Sequence, residues 1–347
     1  MTAKLLKAVD FFCGAGGMTQ GMKMAGVKVV AGIDIDEDCK ETYEKNHPET
    51  RFFLKDIKKL PRTFLEKKCG VKRNDDSLVF IGCSPCQYWS VLNTNRRSSE
   101  GSKGLLQDFW RFVYYYNPGY VIIENVPGMK RKEAESGLDN FCEKLKEKGH
   151  VITENILNAK DYGVPQSRKR FVLIASRMNE SINFPKPEKE SILAEFIGTH
   201  NGFPALRAGH IDDTDFMDTV ASLSEKNLRR VKLTPKNGGT RKAWKDDPEL
   251  QLKAYKGKDD SFRDVYGRLR WNKPSSTITT RFNGISNGRF THPEEDRGLS
   301  LREGATLQTF EKDYIFVCES STAASKLIGN AVPPQLAYRI AQSICAV

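Results

Sequence analysis

Residues 8–17 read AVDFFCGAGG and run on as MTQGMKMAGVKVVAGIDID to Asp36. The stretch opens as a short apolar run and breaks at Gly14, Gly16 and Gly17. Glycines there let the backbone come close to a ligand. A helix-like stretch, Met18–Met24, follows, and then a second apolar run, Val27–Ile33. Strand, turn, helix and strand in series read as a βαβ unit.

The same alternation continues outward. Further strand-like stretches are Arg51–Leu54, Leu78–Gly82, Tyr120–Glu124, Val151–Leu157 and Phe171–Ser176, with the first strand spanning Leu5–Phe12. Glu37–Asn46, Leu106–Tyr116 and Ala134–Lys148 have helical patterns between them. This predicts an α/β fold, Rossmann-like, with a mostly parallel sheet and helices on both faces. Ligands in such sheets bind beyond the carboxyl ends of the strands, so residues just after each strand carry the functional interest.

Asp34 ends the second strand, twenty residues after Gly14, where a carboxylate can accept both hydroxyls of a ribose. Asp56 follows the third strand and can accept from an adenine amino group. Glycine turn, ribose acid and base acid together point to a nucleoside cofactor. The full G-x-G-x-x-G fingerprint is absent.

The fourth strand runs into Cys83-Ser84-Pro85-Cys86. A thiolate is a strong nucleophile near neutral pH, and Pro85 stiffens the approach to Cys86. Cys83 and Cys86 also form C-x-x-C. A zinc site would need a second pair or two histidines at ligand spacing, and none is visible, so no metal is expected; a redox pair stays open. YVIIENVPG (120–128) ends a strand with Glu124-Asn125, and Glu124 is a candidate proton donor. QSRKRFVLIAS (166–176) sets Arg168 and Arg170 two apart before a strand, on one face.

The chain has 347 residues, 39% hydrophobic and 29% charged, which suits one large domain plus a smaller one. No apolar run nears the roughly 18 residues of a membrane helix, and no signal-peptide pattern opens the chain, so a cytoplasmic location is expected. Eight scattered cysteines are expected to be reduced there. The net charge of +11 favours an anionic partner, nucleic acid first. From about Asn179 the pattern becomes irregular. KNLRRVKLTPKNGGTRKAWK (226–245) holds eight Lys/Arg and no Asp/Glu, which fits either a solvated face or a phosphate-contacting loop.

DFFCGAGG, SPCQYWS, ENV, QSRKR and GNAVPP, in that order, resemble the motifs of the DNA (cytosine-5) methyltransferases, bacterial type. GRLRWNKPSSTITTRF (267–282) and THPEEDRGLSLREGATLQTF (291–310) extend the resemblance, leaving only about 185–265 outside it. The resemblance implies S-adenosylmethionine as cofactor and double-stranded DNA as substrate, with a flipped-out cytosine as target. Cys86 would add to carbon 6 of the base and Glu124 would serve N3. Arg168 would hold O2, Arg170 would organise the site, and Asn125 would position backbone. Cofactor contacts would come from Phe12, Gly14, Ala15, Gly16, Gly17, Asp34, Ile35, Asp56, Ile57, Leu105, Asn330 and Val332. DNA contacts are expected from Gln87, Ser90, Arg96, Arg97, Arg229, Arg230 and Arg241. Tyr88-Trp89-Ser90 departs from the family's usual Phe-Ser, and Asp34 stands where Glu is common.

The expected organisation is a catalytic and cofactor-binding domain at 1–180, target recognition at 181–265, and a return segment at 266–347 whose last helix completes the first domain. A monomer is expected. The family admits a separately acting cognate restriction endonuclease, which the sequence does not reveal. The nearest rival is a tRNA cytosine-5 methyltransferase on the same scaffold. That branch carries a Cys-Phe-Thr signature, and none occurs between 180 and 265. A catalytically silent DNA-binding relative and an NAD oxidoreductase are the more distant rivals.

Overall fold

The computed structural model describes residues 5–85, 104–212, 214–257 and 261–345. They form two compact units. The first comprises 1–158, 169–187 and 332–347; the second comprises 159–168 and 188–331.

The first unit is built on seven strands: β1 (Lys7–Phe11), β2 (Lys28–Asp34), β3 (Arg51–Leu54), β4 (Leu78–Gly82), β5 (Tyr120–Asn125), β6 (Val151–Asn158) and β7 (Lys169–Ser176). Their order is β3-β2-β1-β4-β5-β7-β6. β1 to β5 run parallel, and β7 is antiparallel to both of its neighbours. β4 and β5 are buried along their whole length, as central strands covered on both faces must be; this is why β4 and the first four residues of β5 read as unbroken apolar runs.

The helices of this unit are α1 (Gly17–Met24), α2 (Lys40–Asn46), α3 (Phe64–Cys69), α4 (Leu105–Tyr116), α5 (Pro127–Arg131), α6 (Glu133–Ser136) and α7 (Leu138–Glu147). α4 turns Leu106, Phe109, Phe112, Val113 and Tyr116 inward, the three-to-four residue spacing of one helical face. Phe11 sits at the centre of the core, with ring centroids 5.2 Å from both Phe80 and Phe109.

The second unit holds α8 (Glu225–Leu233), α9 (Leu301–Leu307) and α10 (Ser321–Asn330), joined by short 3₁₀ turns and isolated bridges. Such backbone leaves many carbonyls without a ladder partner, and buried carbonyls must find donors. Arginines supply them. Arg268 is fully buried and donates to the carbonyls of Thr234, Val231, His292 and Glu295 at 2.7–3.0 Å. Arg297, also fully buried, forks onto Glu303 at 2.7 and 3.0 Å. A small apolar cluster of Val231, Trp244, Leu250, Tyr266 and Ile285 completes the centre.

These bonds explain why the compact unit extends to 331 rather than closing at 265. Arg268 ties the segment after 266 to α8, so the expected recognition and return segments fold together up to Ala331. Only residues from Val332 onward return to the first unit. There, α11 (Pro334–Cys345) lies against α1. A Cβ on Gly21 would come within 2.4 Å of the Ala337 Cβ, so glycine is what lets these two helices touch.

Candidate active site

β1, β2 and β4 are neighbours, and Phe11 pairs with Ile33 on one side and Gly82 on the other. The order of the sheet reverses between β1 and β4, the place where ligands collect in such folds. The chain leaves β1 through Phe12 at φ 63°, Gly14 at 51° and Gly16 at 85°. Left-handed backbone at a non-glycine residue is unusual, and Phe12 is held there by its N–H on the Ile33 carbonyl at 2.8 Å. The Gly14 N–H donates to Asp34 Oδ2 at 2.8 Å, and the Asp36 N–H to Asp34 Oδ1 at 2.9 Å. Burial pushes the Asp34 carboxyl above its ordinary range, opposed by those two bonds. Each carboxylate oxygen still has a second lone-pair site to offer a ligand hydroxyl.

Ile35, next along, is 65% exposed. An aliphatic side chain held open beside a half-buried carboxylate suits a purine face. Asp56 accepts the Lys58 N–H at 3.0 Å and starts the turn Ile57–Lys59, with Ile57 buried. Ala15, Gly16 and Gly17 are buried in the first turn towards α1, and Leu105 opens α4 half-buried. Val332 is buried in the first unit, whereas Asn330 is exposed at the end of α10 in the second.

β4 and β5 are also neighbours, with Gly82 opposite Ile123. Their ends therefore bring Cys83-Ser84-Pro85 beside Glu124-Asn125. The Asn125 side chain donates to the Ser84 carbonyl at 3.1 Å and accepts the Val126 N–H at 2.9 Å. This clamps the chain two residues ahead of Cys86. Glu124 is 6% exposed, and Arg170 on the next strand reaches its Oε1 with Nε at 2.9 Å. Burial, with Glu124 and Asp10 nearby, holds the Cys83 thiol well above its ordinary range. A thiol so placed stays protonated and inert. Cys86, Gln87, Ser90, Arg96 and Arg97 lie outside the described residues.

Arg168 is placed differently from expectation. It belongs to the second unit, is 2% exposed, and donates to the carbonyls of Ile278, Gly329 and Ala331 at 2.9, 3.1 and 3.0 Å. Its guanidinium braces irregular backbone, and the arginine beside the acidic residue is Arg170. Three expected phosphate contacts also change. Arg230 is buried, bonded to the Leu250 carbonyl at 2.9 Å and lying over the Trp244 ring. Arg241 is 1% exposed, bonded to the Ser261 carbonyl at 2.7 Å and over Tyr255. Arg229 is exposed but paired with Asp247 and Glu249 at 3.0 and 2.6 Å.

Asp10 is a residue the sequence reading passed over. It is wholly buried in β1 and accepts from Thr19 at 2.8 Å, whose hydroxyl in turn meets Tyr43 at 2.8 Å. Burial pushes its carboxyl up to about 7. The signal was an acid inside an apolar run, four residues before Gly14.

The family model for C-5 cytosine-specific DNA methylases matches residues 6–346. The chain belongs to that family. It is 36% identical to the type II methylase M.HgiDII of Herpetosiphon aurantiacus, over 97% of this chain and 94% of that one. It is 30% identical to the type II methyltransferase M1.HphI of Haemophilus parahaemolyticus, over 98% and 86%. Among solved structures it resembles a protein described as a DNA modification methyltransferase encoded within a prophage (E. coli), with a TM-score of 0.75, 21% identity and 98% of each chain covered. The DNMT2 of Spodoptera frugiperda matches with a TM-score of 0.61 at 19% identity, over 96% and 98%. Both likenesses extend to the fold. The activity of this methylase is DNA cytosine-5 methylation. Members of the family use S-adenosylmethionine, and the turn at Gly14, the Asp34 carboxylate and the open Ile35 suit its adenosine.

Proposed function

We propose that this methylase modifies carbon 5 of one cytosine within a specific duplex sequence, as the modification enzyme of a type II restriction–modification system with a separately acting endonuclease. The observation that supports this most is the common end of β1, β2, β4 and β5. It gathers the glycine turn, Asp34, the Cys83–Pro85 approach and the Glu124–Arg170 pair.

Phe12, the Gly14–Gly17 backbone, Asp34, Ile35, Asp56 and Ile57 would hold S-adenosylmethionine, with Leu105, Asn330 and Val332 contributing. When bound, it supplies an electrophilic methyl group. The target base leaves the stack before chemistry, because carbon 5 is unreachable inside a duplex. The Cys86 thiolate adds to carbon 6, forming a C–S bond, while Glu124 gives a proton or hydrogen bond to N3. The electron pair released to carbon 5 takes the methyl group, whose bond to the donor sulfur breaks to leave S-adenosylhomocysteine. The carbon-5 proton then leaves to a base or water, and expulsion of the thiolate restores the ring.

Arg170 replaces Arg168 as the proposed partner of O2. O2 is bonded to the carbon next to N3, so a donor beside the residue serving N3 is the one within reach. Arg168 becomes a positioning residue. The test is methyl transfer from labelled S-adenosylmethionine to duplex DNA and to tRNA, with bisulfite mapping of the product. Labelled 5-methylcytosine in DNA is expected; label in tRNA alone would favour the tRNA reading.

A further inference from the structure

Arg230 and Arg241 are buried and Arg229 is paired with two carboxylates, which turns the search for phosphate contacts to other cations of the second unit. We propose that a hollow of about 200 Å³ walled by Ser167, Arg270, Lys273, Ser275, Ser276 and Arg289 takes one backbone phosphate of the DNA substrate. The proposal rests on the DNA-methylating reading above.

Arg270, Lys273 and Arg289 bring three cations to this hollow, and no carboxylate lines it among the described residues. Arg289 is a fixed wall, paired with Asp264 at 2.7 Å and donating to the Arg268 carbonyl at 2.8 Å. Arg270 and Lys273 are exposed and carry no ion pair among the described residues. Glu190, which feels the charge of Lys273, is itself bonded to Lys160. Arg270 is held in place by a neighbour. Its Nε lies 2.3 Å from where a Cβ on Gly238 would be, so the glycine at φ 109° is what lets the guanidinium lie across this backbone.

Ser275 adds an independent sign. It is 1% exposed and lines the hollow, yet its hydroxyl has no partner. A buried hydroxyl without a partner is costly, and an anion beside it would supply one. The floor is rigid. Ser275 donates its N–H to the Pro165 carbonyl at 2.8 Å, and the Ser167 N–H donates to the Ser275 carbonyl at 2.9 Å. Thr277 adds a bond to the Ser167 carbonyl at 2.7 Å. At about 30 Å³ per water, the hollow has room for a phosphate group and a few waters. A phosphodiester fits because the hollow, floored in part by Leu269 and Pro274, opens on exposed cations.

The test uses the full chain and a short cognate duplex, with binding measured across a salt series. Lys273→Gln and Arg270→Gln should each weaken binding about 3- to 10-fold at low salt. Each should flatten the slope of log Kd against log salt by about 0.9. The loss should be equal on cognate and non-cognate duplexes, and S-adenosylmethionine affinity should not change. A scan of single methylphosphonates should find one position that weakens wild type and costs Lys273→Gln nothing more. Unchanged slopes in folded variants, or no such position, would overturn the assignment. Inorganic phosphate that binds wild type with no such position would assign the hollow to a small free anion instead. Wild-type methylation of the same duplex is scored separately, so failure of this site is distinguishable from failure of the DNA-methylating reading.

Discussion

Replacing Arg168 by Met should cost folding stability first and catalysis only as a consequence. The guanidinium supplies donors to three carbonyls, those of Ile278, Gly329 and Ala331, at 2.9–3.1 Å in a site 2% exposed. The Ala331 carbonyl keeps the Gln308 side chain as a donor at 3.2 Å, so two acceptors lose theirs, each at a cost of about 1–3 kcal/mol. Relief of the buried charge offsets part of the sum, leaving a net loss of about 2–4 kcal/mol. Arg168→Lys keeps the charge but cannot span three carbonyls with one ammonium, so an intermediate loss of about 1–2 kcal/mol is expected. Urea denaturation followed by tryptophan fluorescence reads this directly, because Trp244 and Trp271 belong to the same unit as Arg168. An Arg168→Met protein as stable as wild type but unable to turn over would refute the reasoning and return Arg168 to the base.

Two further outcomes follow from the first unit. Asp34→Ala removes the acceptor of the Gly14 N–H at 2.8 Å and the proposed ribose partner. It should weaken S-adenosylmethionine binding by about 1.5–3 kcal/mol, with DNA affinity in the absence of cofactor little changed; calorimetry showing wild-type cofactor affinity in a folded variant would contradict it. Asp10 concerns pH. Its folded carboxyl titrates near 7 against 3.8 for the free group, so the folded state keeps a proton that the unfolded chain gives up. That contribution is fully present below about pH 4 and is lost as pH rises through 7. At about 1.36 kcal/mol per unit the loss is on the order of 4 kcal/mol, and Asp10→Asn should remove it. Parallel stability–pH curves for the two proteins would count against a buried neutral Asp10.

The first unit was legible because its signals are periodic. Leu78–Gly82 and Tyr120–Ile123 are apolar without interruption because both faces are covered. The long helical pattern at Ala134–Lys148 broke where Gly137 takes φ 71°, separating α6 from α7. The second unit was not legible because guanidinium-to-carbonyl bonds hold it, and these leave no period in the sequence. Arg229 and Arg230 show the difficulty. On a helix adjacent residues point about 100° apart, so only one of them can face Trp244, and composition does not say which. The same blindness exchanged Arg168 for Arg170: both are arginines, and only strand pairing reveals which one meets Glu124.

The most direct test of the central claim is a duplex with 5-fluorocytosine at the target position. Methyl transfer can proceed on that base, but fluorine cannot leave as the proton does. The account predicts a denaturation-resistant protein–DNA adduct that needs S-adenosylmethionine, carries its methyl group, maps to Cys86 and vanishes in Cys86→Ala while persisting in Cys83→Ala. A crosslink at Cys83, or no adduct from enzyme that methylates ordinary DNA, would contradict it.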